Sequence, residues 1–144
     1  MSEGHVNPSP DEIRALLRRA RRVAVVGLSP KPHRDSHRVA RYLIDAGYEV
    51  VPVYPRGDEI LGRPVFRTVR EITGEVDLVD VFRRSEELVK VVEDVLQGPA
   101  PAIWFQLGCV SEEAARRARE GGRLVVMDRC LMVEHANLSG SASG

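Results

Sequence analysis

The chain has 144 residues, enough for one domain that buries roughly two-thirds of its unfolded surface, and its 21 basic and 21 acidic side chains cancel. That balance excludes a nucleic-acid-binding field and an acidic interaction tail, so any basic character is local. The two cysteines, Cys109 and Cys130, lack zinc-ligand spacing and are too few for a disulfide scaffold, which predicts a reduced, cytoplasmic protein.

Met1–Pro8 is polar and is expected to be disordered, with no apolar core of a signal peptide; no later run reaches membrane-spanning length. Ser9-Pro10-Asp11-Glu12 has the spacing of a capping box with proline at the first helical position. The helix it opens places Ile13, Leu16, Leu17 and Ala20 on one face. A continuous apolar run, Val23 to Val26, then breaks at Gly27, passes through a polar loop and resumes at helical spacing in Val39, Ala40, Leu43 and Ile44. Gly47 suits the left-handed residue after that helix.

Tyr48 to Val53 reads as the second strand, stopped by Tyr54-Pro55-Arg56-Gly57. An excursion from Ile60 to Phe66 contains Gly62 and Pro64, so Val65-Phe66 is at most a short edge strand, and Thr68–Ile72 is one helical turn. Asp77–Phe82 is a strand, and Ser85 is placed to cap a helix whose face is Leu88, Val91, Val92, Val95 and Leu96. Ala102–Phe105 is a strand, Ser111 opens a helix closed by Gly121-Gly122, and Leu124–Met127 is the last strand. The serine and glycine content from Asn137 onward predicts a flexible tail over 137–144, leaving one domain over 9–136.

Nearly all-apolar strands alternating with helices require a parallel sheet covered on both faces. With right-handed crossovers the expected fold is α/β: a Rossmann-like, doubly wound, mainly parallel sheet of five to six strands. Its carboxyl-edge loops form the expected site.

At that edge the dinucleotide fingerprint is absent: Gly27 remains, while Ser29, Pro30 and Pro32 replace the glycines and free N–H groups it needs. Phosphate contacts would fall to the Ser29 and Ser36 hydroxyls, the Lys31 and Arg34 cations and the amides at the next helix start; a rigid surface turn is the alternative. After the second strand, Val53, Tyr54, Pro55 and Arg56 stand where an NAD enzyme carries a carboxylate. Arg56 attracts a phosphorylated ribose, which leaves NADP and coenzyme A open, with Val53 and Pro55 lining an adenine slot. Phe82-Arg83-Arg84 sets two guanidiniums at the third strand's end, and Gln106 after the fourth can offer an amide to a ribose or a pantetheine. His33, His37 and His135 stand without a serine elbow, metal spacing or paired carboxylates, so no catalytic residue is assigned. His37 is expected to shape the loop, and Cys130 to be buried and inert.

Val-Val-Gly-Leu-Ser-Pro-Lys-Pro with Ser36 and Val39, Pro52-Val53-Tyr54-Pro55, Glu59-Ile60-Leu61-Gly62, Val79-Asp80-Val81-Phe82-Arg83-Arg84, Trp104-Phe105-Gln106-Leu107-Gly108 and Val126-Met127-Asp128-Arg129-Cys130 stand in register. Together they resemble the small bacterial and archaeal CoA-binding proteins, which are similar to the CoA-binding domain of the succinyl-CoA synthetase α-subunit. The resemblance covers about Arg21 to Glu134. It implies a Rossmann-like fold binding coenzyme A, with phosphates near Ser29, Lys31 and Ser36 and the adenine and its ribose phosphate near Val53, Pro55 and Arg56. Further contacts are implied at Phe82, Arg83 and Gln106. Against the synthetase subunit, the sequence stops before the region of the phosphorylated histidine, which predicts a carrier, sensor or regulatory module rather than a ligase. An NADP(H)-binding reductase-like protein is the competing expectation. No nucleic acid or membrane is expected as a partner.

Overall fold

Ser9 starts the first helix as its spacing predicts: its hydroxyl accepts from the Glu12 amide while the Glu12 carboxylate accepts from the Ser9 amide, closing the capping box of α1 (Pro10–Arg19). The computed structural model describes the backbone of residues 4–143 and the side chains as far as residue 138. After α1 come β1 (Arg22–Val26), α2 (Asp35–Asp45), β2 (Glu49–Val53), a two-residue hairpin of β3 (Glu59–Ile60) and β4 (Arg63–Pro64), and β5 (Leu78–Val81). Then follow α3 (Leu88–Val95), β6 (Ala102–Phe105), α4 (Glu112–Glu120), β7 (Leu124–Met127) and α5 (Leu131–Ser143).

The main sheet has five strands, all parallel, in the order β2-β1-β5-β6-β7. Strand alternation divides its side chains between two cores. Ala24, Val26, Val79, Val81, Ile103 and Phe105 face α3 and α4, whereas Val23, Val25, Leu78, Ala102 and Trp104 face the layer of α1, α2 and α5. Trp104 is fully buried there, and its indole N–H donates to the Arg129 carbonyl at 2.9 Å, which satisfies the one polar atom of the ring. The expected doubly wound α/β architecture is therefore present. The order reverses between β1 and β5, so the loops after these two strands diverge and leave a crevice beyond their carboxyl ends.

Several local expectations change. Val65-Phe66 forms no edge strand: Phe66 makes a single parallel bridge to Val53, with its amide donating to the Pro52 carbonyl at 3.0 Å. Ser85 caps nothing. It begins a 3-10 turn, Ser85–Glu87, and its hydroxyl donates to the Gly108 carbonyl and accepts from the Val110 amide, tying two carboxyl-edge loops together. Of the N-terminal stretch expected to be disordered, the described part lies against β7. The Asn7 side-chain amide donates to the Met127 carbonyl at 3.0 Å and accepts from the Met127 amide at 2.8 Å, imitating a strand on the open edge. The tail expected from Asn137 continues α5 instead, and Leu138 packs on the α1–α2 core. The serine- and glycine-rich composition carried no signal of this helical continuation. Met1–Glu3 and Gly144 lie outside the described residues.

Candidate functional site at the carboxyl edge

β1 hands its last buried side chain to Gly27, whose amide donates to the Val53 carbonyl at 2.8 Å. Gly27 has φ +84°, and a Cβ there would stand 2.1 Å from the Phe82 carbonyl oxygen, so glycine is required on two counts. The loop beyond is tied to itself. The Ser29 amide donates to the Ser36 hydroxyl at 3.0 Å, the Lys31 amide to the Ser29 hydroxyl at 3.1 Å, and the His37 Nδ1–H to the Ser29 carbonyl at 2.9 Å. His37 thus shapes the loop, as expected. Each hydroxyl accepts in these bonds and keeps its own proton for an outside acceptor. No side chain caps α2, so its N-terminal dipole is open to an anion.

This loop walls a cleft of about 880 Å³ that also meets Arg56 and Phe82, so Gly27, Ser29, Lys31, Arg34, Ser36, Arg56 and Phe82 are gathered there. Among the described residues Lys31, Arg34 and Arg56 form no ion pair. The molecule is neutral overall, yet three cations without an ion pair face this cleft, whose one lining carboxylate, Asp35, is paired with Arg38.

Two smaller hollows adjoin it. One, of about 250 Å³, holds Val53, Pro55 and Arg83 and shares Gly27 and Tyr54 with the cleft. Arg83 is not the free guanidinium the sequence suggested: it pairs with Glu87, which also holds Arg84 at 3.0 Å. The two arginines hold the Glu87 carboxyl below the usual carboxylate range. The third hollow, of about 230 Å³, shares Asp35 and Phe82 with the cleft and contains Gln106, Leu107, Cys130 and Met132. Gln106 is only 3% exposed. Its amide donates to the Asp80 carboxylate at 2.6 Å and its carbonyl accepts from the Leu131 amide at 3.4 Å, so it braces the floor instead of offering a free amide. Cys130, expected to be buried, is half-exposed on that wall. Behind Gln106, Asp80 is fully buried on a central strand with Oδ2 unpartnered, and burial pushes its carboxyl up to about 7 against the opposing pull of the Gln106 bond.

A self-bonded loop with unpaired cations at the switch point of a parallel sheet can be compared with known proteins. Residues 21–136 match the family described as CoA binding domain. The chain belongs to the CoA binding domain family. An uncharacterized protein of Bacillus subtilis, YneT, is 50% identical over 130 residues, covering 90% of this chain and 96% of that one. A solved structure of a hypothetical protein from Pyrococcus horikoshii is 37% identical with a TM-score of 0.90, covering 97% of this chain and all of the other. The α-subunit of an ADP-forming acetate–CoA ligase of Pyrococcus furiosus is 29% identical over 133 residues; 83% of this chain matches 29% of the subunit.

Within this CoA binding domain, sequence reasoning gave no role to Tyr54, which stands in both the cleft and the 250 Å³ hollow, and did not single out Arg67, Thr68 and Lys90, which also line that hollow. Arg67 and Thr68 arrive because Phe66 hooks onto β2, a contact between residues far apart in their local patterns. Lys90 belongs to the exposed side of α3 and carried no motif; its position beside the hollow was the only signal, and it needed the fold.

Proposed function

We propose that the protein binds coenzyme A or an acyl-CoA at the carboxyl edge of its sheet, as a carrier, sensor or regulatory module without chemistry of its own. The observation that carries the reading is the cleft with three unpaired cations, Lys31, Arg34 and Arg56, around a loop whose hydroxyls keep their protons. In this reading Ser29, Lys31, Arg34, Ser36 and the first amides of α2 hold a diphosphate, and Gly27 lets it approach the backbone. Arg56 adds charge from the β2 side, and Val53 and Pro55 line the adenine. Phe82 leads toward the third hollow, where Val39, Leu107 and Met132 suit an aliphatic pantetheine arm and Gln106 braces the floor. Arg83 contributes its stem beside Gly27.

The absence of an activated nucleophile among the loop's groups supports the non-catalytic role: the Ser29 and Ser36 hydroxyls are bonded to backbone amides, and the His37 ring nitrogen Nδ1 to a carbonyl. Two free cysteines suit a reducing, cytoplasmic setting. Among the described residues no helix is long and apolar enough to cross a membrane.

Calorimetry against CoA and NADPH tests the assignment. CoA is expected to bind and to outcompete NADPH, and the Lys31→Ala/Arg34→Ala double variant is expected to lose at least about tenfold in affinity. Preference for NADPH would transfer the site to the competing reductase-like reading. Release of free thiol from acetyl-CoA on incubation with the protein would refute the non-catalytic role.

A further inference from the structure

Resting on that reading, we infer that the 250 Å³ hollow is a second anion subsite in which Lys90, seconded by Arg67, recognises the phosphomonoester on the ligand's ribose. The charge balance points there. Four cations, Arg67, Arg70, Arg83 and Lys90, meet two carboxylates, Glu87 and Asp94, on its walls. Both carboxylates are already committed. Glu87 takes Arg83 and Arg84. Asp94 takes the Arg70 guanidinium at 2.9 Å and the amides of Val69 and Arg70 at 2.7 and 3.1 Å.

Lys90 forms no ion pair among the described residues, and the Arg67 guanidinium makes one long bond, 3.3 Å, to the Tyr54 carbonyl. Lys90 is also held where it is useful. Val91, beside it, lines the same hollow, and the buried Leu88, Val92 and Val95 seat α3 on the sheet. Arg67 follows Phe66, which is bonded to both Pro52 and Tyr54 of the β2 end.

The place of this charge matters as much as its sign. Tyr54 and Gly27 belong to both depressions, so one ligand can enter both while its two anionic groups lie on opposite sides of Tyr54. Arg56 lines the diphosphate cleft and not this hollow, whereas Val53 and Pro55 line the hollow. A sugar attached to a base between Val53 and Pro55 therefore presents its phosphomonoester to Lys90 and Arg67 rather than to Arg56. Nothing in this arrangement requires a new ligand; it names the residue that distinguishes a phosphorylated ribose from a plain one.

The experiment is calorimetry of wild type, Lys90→Gln, Lys90→Arg and Arg56→Gln with CoA and with 3′-dephospho-CoA. Wild type is expected to favour CoA, Lys90→Gln to reduce that preference by about five- to tenfold through weaker CoA binding alone, and Lys90→Arg to restore most of it. Arg56→Gln is expected to weaken both ligands alike. Lys90 is exposed, so circular dichroism of the Gln variant should match wild type, and the double variant with Arg67→Gln should deepen the loss. An unchanged CoA preference in Lys90→Gln, or an Arg56→Gln variant that alone erases it, overturns the inference while leaving CoA binding intact. Failure of wild type to bind either nucleotide instead removes the reading on which it rests.

Discussion

Gly27 concentrates the demands of the site on one residue. Its backbone is left-handed, and any side chain would collide with the Phe82 carbonyl of the neighbouring loop. Gly27→Ala is expected to cost at least about 2 kcal/mol in urea unfolding and to abolish most CoA binding, because relief of the collision separates the two loops that flank the crevice. A variant of wild-type stability that still binds would contradict this account. Asp80 makes the second demand. Its carboxyl titrates near 7 in the fold because burial disfavours the charged form. A folded-state value above that of the unfolded chain means that the native state binds the extra proton. The stability from this group is therefore complete below about pH 4 and lost as pH rises through 7, an amount of about 4 kcal/mol. Asp80→Asn keeps an acceptor for Gln106 and removes the titration. The difference in unfolding free energy between variant and wild type should grow in the variant's favour from pH 5 to 8, and a pH-independent difference would show that Asp80 does not titrate there.

Among the elements, β7 stands at one edge of the sheet, with β2 at the other, and no strand among the described residues pairs with the β7 edge. Asn7 closes it by offering the donor and acceptor of an amide to the backbone of Met127. Asn7→Ala is expected to cost about 1–2 kcal/mol and to speed hydrogen exchange at the Met127 amide, measurable by NMR; unchanged protection at that amide would argue that the arm contributes nothing. This element also marks where sequence reading stops. The strand-loop-helix unit of β1 and α2 was legible because an apolar run, a glycine and a helical period succeed one another locally. So was the capping box of α1. The arm over β7, the hook of Phe66 on β2 and the continuation of α5 depend on partners many residues away, and no local period announces them. The same distinction divides the site. The loop cations and hydroxyls could be named from their spacing, but the pairing of Gln106 with Asp80 could not, since it joins side chains from two different strand ends. Arg83 and Glu87 stand only four residues apart, yet their pairing follows from a 3-10 turn where a cap at Ser85 was expected.

Across the whole molecule, the strand order decides where a ligand can lie. Reversal between β1 and β5 opens the sheet's carboxyl edge at its middle, and the ties from Ser85 to the Gly108–Val110 loop and from Gln106 to the start of α5 hold the far side of that opening. The relation to the acetate–CoA ligase subunit concerns this unit alone, which spans 29% of that chain. What the larger proteins do with the remaining length is therefore no guide to the chemistry of this one.

The bonds among Ser29, Lys31, Ser36 and His37 have a kinetic corollary. A loop already held in shape needs no rearrangement on meeting a ligand, so capture should run at the pace of encounter. In stopped-flow mixing with a fluorescent CoA analogue, the observed rate should climb in a straight line with ligand concentration. A plateau would reveal a slow opening or closing step that the resting architecture does not call for.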